Sequence, residues 1–484
     1  NVKIAAAVGD IDLYILSQKQ CLKLLSDFTH TNNDYIKNNI HERVGKLVYK
    51  SNPIEATEYL TDAMAVYHQK GNILKAIELS GFLLKSQKLE DNAISTIEIV
   101  DNVLRILPEK GYELEKALIK AKKTDALLKI GNYDELTNLV KNEIIPVLEM
   151  NLAKNAAHKR YSHELLFNTW VKVAICEADA YSYQGNDKSL DVINIIEDVL
   201  KANDKLNCTM YNDKIEISKA IAYTVKGQLD FSDEILNCIN IEDSNLAPKD
   251  ISCINLIRII NKFLHFDFVN IRDDLFEAAT YANNCNDTVL KNIFKVFLAK
   301  LLKEDGNAQK AMDIYNEQIT YFAGEKISTG AFLCWYFLSE LFLLTDGPDK
   351  ALEIAMKSLD ITKNPKIANF NFMIMFKKLI AEILIIKKDF DTAKMYIEKA
   401  LLMARKFGLD YSIMTLYHLY GKYFEEIITS KTSDNAEYVQ NSFKMYDKSN
   451  DLAKELNIEK YIVKNDNAKQ SLQVFCQLNN ISID

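Results

Sequence analysis

Seven histidines and eight cysteines are the residues best equipped for chemistry in this 484-residue chain, and their spacing assembles no reaction centre. A zinc hydrolase needs two histidines four apart on one helical face, with a glutamate after the first. Here His41-Glu42 is followed by Arg-Val-Gly and His163-Glu164 by Leu-Leu-Phe. His158 and His163 are five apart, about 140° around a helix, so they could share a metal only across a loop. The simpler reading is two solvated loop histidines. The cysteines stand at 21, 176, 208, 238, 253, 285, 334 and 476, the closest pair fifteen apart and most of them inside apolar helical runs. A thiol in such a run behaves as a small hydrophobe, which suits a reducing cytoplasm and neither a disulfide framework nor a zinc site. The chain has no Gly-x-x-x-x-Gly-Lys phosphate loop, no Gly-x-Ser-x-Gly elbow and no nucleophile beside a visible base. Its acidic residues are dispersed along helices and loops, the pattern of solvated faces. The reading is non-enzymatic, with no cofactor and no metal.

The elements that would position any other site follow from composition. Only 14 residues are Gly and 6 are Pro, while 48% are hydrophobic. Few turn-formers mean few turns, hence long helices; hairpin-rich and dinucleotide-binding folds lack the glycines they need. Charges number 59 basic against 67 acidic, a net of -8. Only six are Arg (43, 105, 160, 258, 272 and 405), and without arginine's bidentate phosphate and base contacts an acidic chain makes a poor nucleic-acid binder. The longest apolar run, Ala331 to Leu338, is far short of the ~20 residues that span a bilayer, so no membrane partner is expected. The chain opens at Asn1 without a leader pattern, and reads as a cytoplasmic piece of something longer.

A repeat organises the helices. Turns recur at Gly71-Asn72, Gly131-Asn132, Gly185-Asn186, Gly227-Gln228, Phe266-Asp267, Gly306-Asn307, Gly347-Pro348 and Lys388-Asp389. Upstream lies a column of mostly small residues, Ala178, Ala220, Ile260, Ala299, Ser339, Ala381 and Gly421, at steps of 42, 40, 39, 40, 42 and 40. Trp335, Leu338, Ser339 and Phe342, followed by Gly347, Ala351 and Ser358, put large, large, small and large side chains on one helical face. The small residue admits a second helix, and the alanine after the turn lies on that helix's matching face. Tyr417, Tyr420, Gly421 and Phe424 repeat the pattern, as do Ile380, Ala381, Leu384, Phe390, Ala393 and Ala400. In these positions the chain resembles the tetratricopeptide-repeat superfamily. It resembles in particular the long-helix, degenerate variety found in the superhelical arms of bacterial signalling ATPases and transcription activators, because its unit is near 40 residues rather than ~34.

The resemblance implies an all-α, right-handed solenoid of about nine to ten helix pairs. It comprises a helical lead-in over 1–50, irregular units over 51–160, a regular array over 161–430, and a carboxy-terminal unit with a capping helix over 431–484. The lead-in resembles the tail of an ATPase lid or linker, with a break around His30 to Asp34. The implied function is a protein- or peptide-binding scaffold; the alternative is a sensing arm of a larger signalling protein, with a peptide or small-molecule effector. In the family the first helix of each pair lines the concave side. Carried over residue by residue, its groove positions are Lys172, Asp179 and Lys214, then Asn261, Lys300 with Lys303, Tyr336, Glu340, Lys378, Glu382, His418 and Lys422. The Lys/Asn/Arg carboxylate clamp of the chaperone-binding variety is absent from these positions. The aromatic run Phe332 to Phe342 and the pair Phe370 and Phe372 read as core.

Overall fold

The computed structural model describes residues 11–26, 31–89, 93–153, 161–203, 209–241, 246–269, 271–285, 287–430, 436–479 and 481. Among them there is no strand, and the chain is a string of helices. The first are α1 (Ile11–Ser26), α2 (Thr31–Val48), α3 (Pro53–Gln69), α4 (Ile73–Leu89), α5 (Ala93–Ile106), α6 (Glu113–Lys120), α7 (Thr124–Ile130), α8 (Tyr133–Leu139) and α9 (Ile145–Ala153). Then follow α10 (His163–Gln184), α11 (Lys188–Ala202), α12 (Thr209–Lys226), α13 (Leu229–Cys238), α14 (Pro248–His265), α15 (Ile271–Asn284), α16 (Thr288–Glu304), α17 (Ala308–Gly324) and α18 (Ser328–Thr345). The last are α19 (Pro348–Thr362), α20 (Phe370–Ile386), α21 (Phe390–Lys406), α22 (Asp410–Ser430), α23 (Ala436–Glu455) and α24 (Glu459–Leu478). Two compact units result: residues 1–129 with 138–173, and residues 130–137 with 174–484.

In the first unit α2 to α5 pack each on the next, around Val44, Leu60, Ala63, Ala76, Leu79 and Leu83. The break expected around His30 to Asp34 is helical from Thr31 onward, because Ile40, Val44 and Val48 give α2 an apolar stripe to bury. His30 itself lies outside the described residues, as do His158 and Cys208. The helix break expected at Pro108 and Gly111 is present, with Gly111 and Tyr112 both at positive φ.

In the second unit the pairs α12/α13, α14/α15, α16/α17, α18/α19, α20/α21 and α22/α23 stack in order, and each first helix also touches the first helix of the next pair. The fold is an α-solenoid. Helix starts are fixed by side-chain caps: Asp287 Oδ1 accepts from Leu290 N–H at 3.0 Å and Asn369 Oδ1 from Phe372 N–H at 3.0 Å. Each such cap is worth about 1 kcal/mol. First helices end at positive φ on Gly185, Gly227, Phe266, Gly306, Gly347 and Lys388, the turns read from sequence. Ala178, Ala220, Ala299, Ser339 and Ala381 are wholly buried. A methyl placed on Gly421 would stand 2.5 Å from the Tyr446 ring, so that glycine is what lets α22 and α23 touch. Helix α18 is the one described helix long and apolar enough to cross a membrane, but its side chains are committed to the core: Phe332, Phe337, Leu338, Leu341 and Phe342 are all buried.

A second set of contacts joins parts of this unit far apart in sequence. Ser328 Oγ donates to Ile130 O and Tyr133 OH meets Thr329 Oγ1, at separations of 198 and 196 residues. One unit further along, Gln184 Nε2 reaches Ala368 O and Asn369 Nδ2 reaches Tyr183 O, at separations of 184 and 186. Further still, Gly227 lies against Tyr411, and Phe266 and Tyr461 hold their rings 5.8 Å apart. Each of these joins the turn after one first helix to the start of a first helix five pairs later. The solenoid has come round once and seated on its own previous turn.

Candidate functional site

The face of the first helices turned away from their partners carries charge. On α18, Tyr336 and Glu340 are four residues apart and so share a face; the same holds for Lys378 and Glu382 on α20 and for His418 and Lys422 on α22. Helix α16 adds Lys300 and Lys303, and α24 adds Tyr461 and Lys464. Glu340 takes Lys303 Nζ at 3.4 Å and Lys300 Nζ at 3.6 Å. Burial opposes charge on this carboxyl, yet Lys300, Lys303 and Lys378, helped by the Tyr336 hydroxyl, hold it below the usual carboxylate range. It keeps 25% of its side chain accessible. Tyr461 lies at the same place: burial, then Glu382 and Glu340, push its hydroxyl up. Its helix is two and three pairs removed from the helices carrying those glutamates, so the inner faces converge.

Toward α24 the site becomes one-sided. Lys464 is pulled down by burial and by Lys422 and Lys378, with Glu382 alone among its near neighbours opposing. Its amine stands 5.2 Å from the Tyr461 ring centre. His418 is 5% exposed, and its Nδ1 donates to Asn465 Oδ1 at 2.6 Å. The direction follows from Asn465, whose Nδ2 already donates to Ser449 Oγ at 3.0 Å and Asn450 Oδ1 at 2.8 Å. Nε2 is therefore the bare acceptor of a neutral ring, and it has no hydrogen-bond partner. Burial drives this imidazole down to about 3, the Asn465 bond resists, and Lys464, Lys422 and Lys378 add to the fall.

Of the twelve positions carried over from the family, six, Lys300, Lys303, Glu340, Lys378, Glu382 and Lys422, are brought together here. Three need correction. Asn261 is 1% exposed and packs onto the preceding pair, α12/α13: Thr224 Oγ1 donates to its Oδ1 at 2.8 Å, and its Nδ2 donates to Asp233 at 2.7 Å and Ser232 at 3.1 Å. The physical reason is register. The residue at positive φ after α14 is Phe266, one earlier than the Asp267 that matches the spacing, so the small-residue column passes through Ile259 rather than Ile260. Asn261 then falls where the other units bury Leu301, Leu341 and Ile383. Tyr336 and His418 are likewise buried and act through Glu340 and Asn465 rather than as open contacts. The sequence reading missed Lys464 and Tyr461, because α24 was taken as a cap; the tyrosine, lysine and asparagine at 461, 464 and 465 already share one helical face. In the first unit Lys172 pairs with Asp125 at 3.1 Å, and in the second Lys214 pairs with Asp250 at 3.3 Å.

Elsewhere chemistry-bearing residues are structural. Glu42 accepts from Tyr67 OH at 2.7 Å and pairs with Lys46 at 2.7 Å and Lys75 at 2.8 Å. Burial opposes its charge, but these partners bring the carboxyl down to about 2. Among the described residues no three His, Cys, Asp or Glu side chains gather to hold a metal ion. A small cleft lined by Ser182, Asp187, Lys226 and Phe407 shares no lining residue with this face; charge, not that hollow, marks the site.

Neither a protein-family model nor the sequence of a curated protein matches the chain. Solved structures do match in shape. A Rap protein complexed with competence and sporulation factor aligns over 74% of this chain and 99% of its own, at 10% identity and TM-score 0.45. The APC/C hetero-tetramer Cut9–Hcn1 covers 97% and 92% at 11% identity and 0.37, and yeast Tom70 covers 96% and 97% at 14% identity and 0.28. The chain is a tetratricopeptide-like solenoid. Its own helix pairs carry that statement, through the buried small-residue column, the positive-φ turns at Gly185, Gly227, Phe266, Gly306, Gly347 and Lys388 and the alanines Ala311, Ala351 and Ala393 buried on the second helices.

Proposed function

We propose that this chain is a non-catalytic scaffold that binds an acidic peptide segment of a protein partner along the inner face of its second unit. The observation carrying this reading is a reversal of sign. The whole chain has net charge -8. Its converging inner face nonetheless presents Lys300, Lys303, Lys378, Lys422 and Lys464 against Glu340 and Glu382. A positive patch walled by protein focuses field lines and favours an anionic segment over a cationic one. Buried tyrosines beside the charges supply the apolar floor that a peptide's side chains need. Among the described residues no nucleophile stands beside a base on this face, which supports binding rather than turnover. The cysteines described are all free thiols, which supports placing the protein in the reducing cytoplasm.

The test is binding of labelled peptides of equal length, one rich in Asp and Glu and one rich in Lys, to the wild-type chain and to K378E and E382K. The acidic peptide is expected to bind tighter, to lose at least about tenfold in K378E and to gain in E382K. Equal binding of both peptides, or a K378E variant that binds unchanged, would sink the proposal.

A further inference from the structure

We propose that Lys377 and Met403 are a latent oxidative cross-link, in which a hypohalous acid joins Nζ to Sδ as a sulfilimine and so ties α20 to α21. The inference goes beyond the peptide reading and does not rest on it.

The observation that carries it is a contact. Lys377 Nζ lies 3.0 Å from Met403 Sδ, between the two helices of one pair. A thioether is a weak acceptor, and an ammonium group ordinarily finds a better one. Among the described residues no carboxylate pairs with this amine. Burial first, and then Lys363 and Lys399, bring it down to about 8, so its free base is well populated in mildly alkaline solution. Lys399 is four residues before Met403 and shares its face of α21, and Lys363 stands just past the end of α19. Lys377 and Met403 are both half-buried, so each keeps some surface open to a small oxidant. Both side chains are long and unbranched, and they can close the remaining gap by turning about their own bonds while the helices stay in place.

The chemistry follows from which nucleophile stands nearest the sulfur. Hypohalous acid transfers its halogen to a thioether, giving a halosulfonium ion and hydroxide. At an ordinary methionine water then displaces the halide, and the product is the sulfoxide. Here the Lys377 amine is already in contact. Its lone pair forms the N–S bond, halide leaves with the electron pair of the S–halogen bond, and the two amine protons pass to the hydroxide and to solvent. Sulfur gives up two electrons and the halogen takes them. In sum, amine, thioether and hypohalous acid become sulfilimine, halide, a proton and water. Holding the two reacting atoms together turns an encounter into an intramolecular step, which is where large effective molarities come from. A second pair serves as a control within the same chain. Tyr396 OH donates to Met356 Sδ at 3.3 Å, and Met356 is 38% exposed. An oxygen captured by that sulfur hydrolyses to the sulfoxide, so contact without an amine leaves no link.

The experiment treats the full chain with an equimolar amount of hypochlorous acid at pH 8, its thiols capped beforehand with N-ethylmaleimide at pH 6.5. The reaction is quenched with free methionine and the peptides are mapped by mass spectrometry. The wild-type chain is expected to yield the peptides carrying residues 377 and 403 joined, two hydrogens lighter than their sum, at least about tenfold more abundant than the sulfoxide at Met403. Met356 is expected to yield the sulfoxide. The variants are K377R, which keeps the cation and removes the nucleophile, and M403L, which removes the sulfur; each is first shown to keep the wild-type helical spectrum. K377R should leave only the sulfoxide at Met403, and M403L should lose the joined product. A digest oxidised after cleavage, in which the contact no longer exists, should give sulfoxides alone. Should M403L fail to fold, K377R and the digest decide. Sulfoxide at Met403 of the wild-type chain at the level seen in K377R overturns the proposal. A joined product that is equally abundant from the digest overturns it as well, because the fold would then have no part in bringing the two atoms together.

Discussion

At the scale of single residues, the inner face holds two groups whose titration is set by their neighbours. His418 is neutral in the fold because burial, then the three lysines, depress it to about 3 against its ordinary 6.5. The unfolded chain binds the proton that the folded chain refuses. The stability this neutral ring allows is therefore complete above pH 6.5 and is lost as pH falls toward 3, with a slope of about 1.4 kcal/mol per pH unit in between. Urea denaturation at pH 7, 6, 5 and 4 is expected to show that slope and H418Q to flatten it; an unchanged slope would remove His418 as its source. Lys377 is a second case. Its amine lies 3.0 Å from Met403 Sδ, and burial followed by Lys363 and Lys399 brings it down to about 8. At pH 8 roughly half of it is the free base, against well under ~1% of an ordinary lysine. Brief acetic anhydride treatment with peptide mapping is expected to mark Lys377 before its neighbour Lys378. The contrast between Asn261 and Lys378 shows how much of the site could be read from residue spacing. Lys378 follows from the repeat alone. Asn261 fails because spacing carries no information on which residue of a turn takes the left-handed conformation, and Phe266 does so where an aspartate would have been the easier choice.

At the scale of elements, two glycines separate two duties that sequence cannot tell apart. Gly306 sits at φ +81 with nothing within 4 Å of an added methyl, while Gly421 is helical and a methyl there meets the Tyr446 ring at 2.5 Å. Gly306→Ala costs only the left-handed backbone, about 1 kcal/mol. Gly421→Ala forces α22 and α23 apart and is expected to cost more, about 1–3 kcal/mol, because close-packed helices cannot absorb the volume. Chemical denaturation of the two variants side by side checks the order, and Gly421→Ala being the milder would contradict the packing described. The pairing of helices was legible because the 40-residue step repeats the same small residue. The role of α24 was not, since a last helix with a polar face looks the same whether it caps an array or completes a site. Its Tyr461 and Lys464 gain meaning only from Glu340, Glu382 and Lys378, which are more than 75 residues away in sequence.

At the scale of the second unit as a molecule, the dominant fact is that one turn of the solenoid rests on the next. A repeat array that touches only its neighbours unfolds from its ends, each unit stabilised by the one beside it. Here contacts at separations of 184 to 198 residues tie the start of the unit to its later half. Gly227 is at φ +90 and an added methyl would meet Tyr411 backbone nitrogen at 2.9 Å, so Gly227→Ala burdens both the turn and the seam. It is expected to raise amide hydrogen exchange at two places at once, around 223–231 and around 409–415, whereas Gly306→Ala raises it only locally. Protection unchanged near Tyr411 would show that the seam carries no stability. None of this closure was visible in the sequence, because seam residues such as Ser328, Asn369 and Tyr411 are ordinary helix-start residues that match no pattern among themselves.

The seam also decides how anything arrives. A groove open along its length lets a ligand settle sideways, but a wall whose turns touch leaves two routes: threading a free end along the bore, or waiting for the seam to part. Association would then be gated, with rates below the ~10⁵ M⁻¹s⁻¹ typical of preformed surfaces. A segment fenced by folded domains on both sides would be refused however well its charges matched.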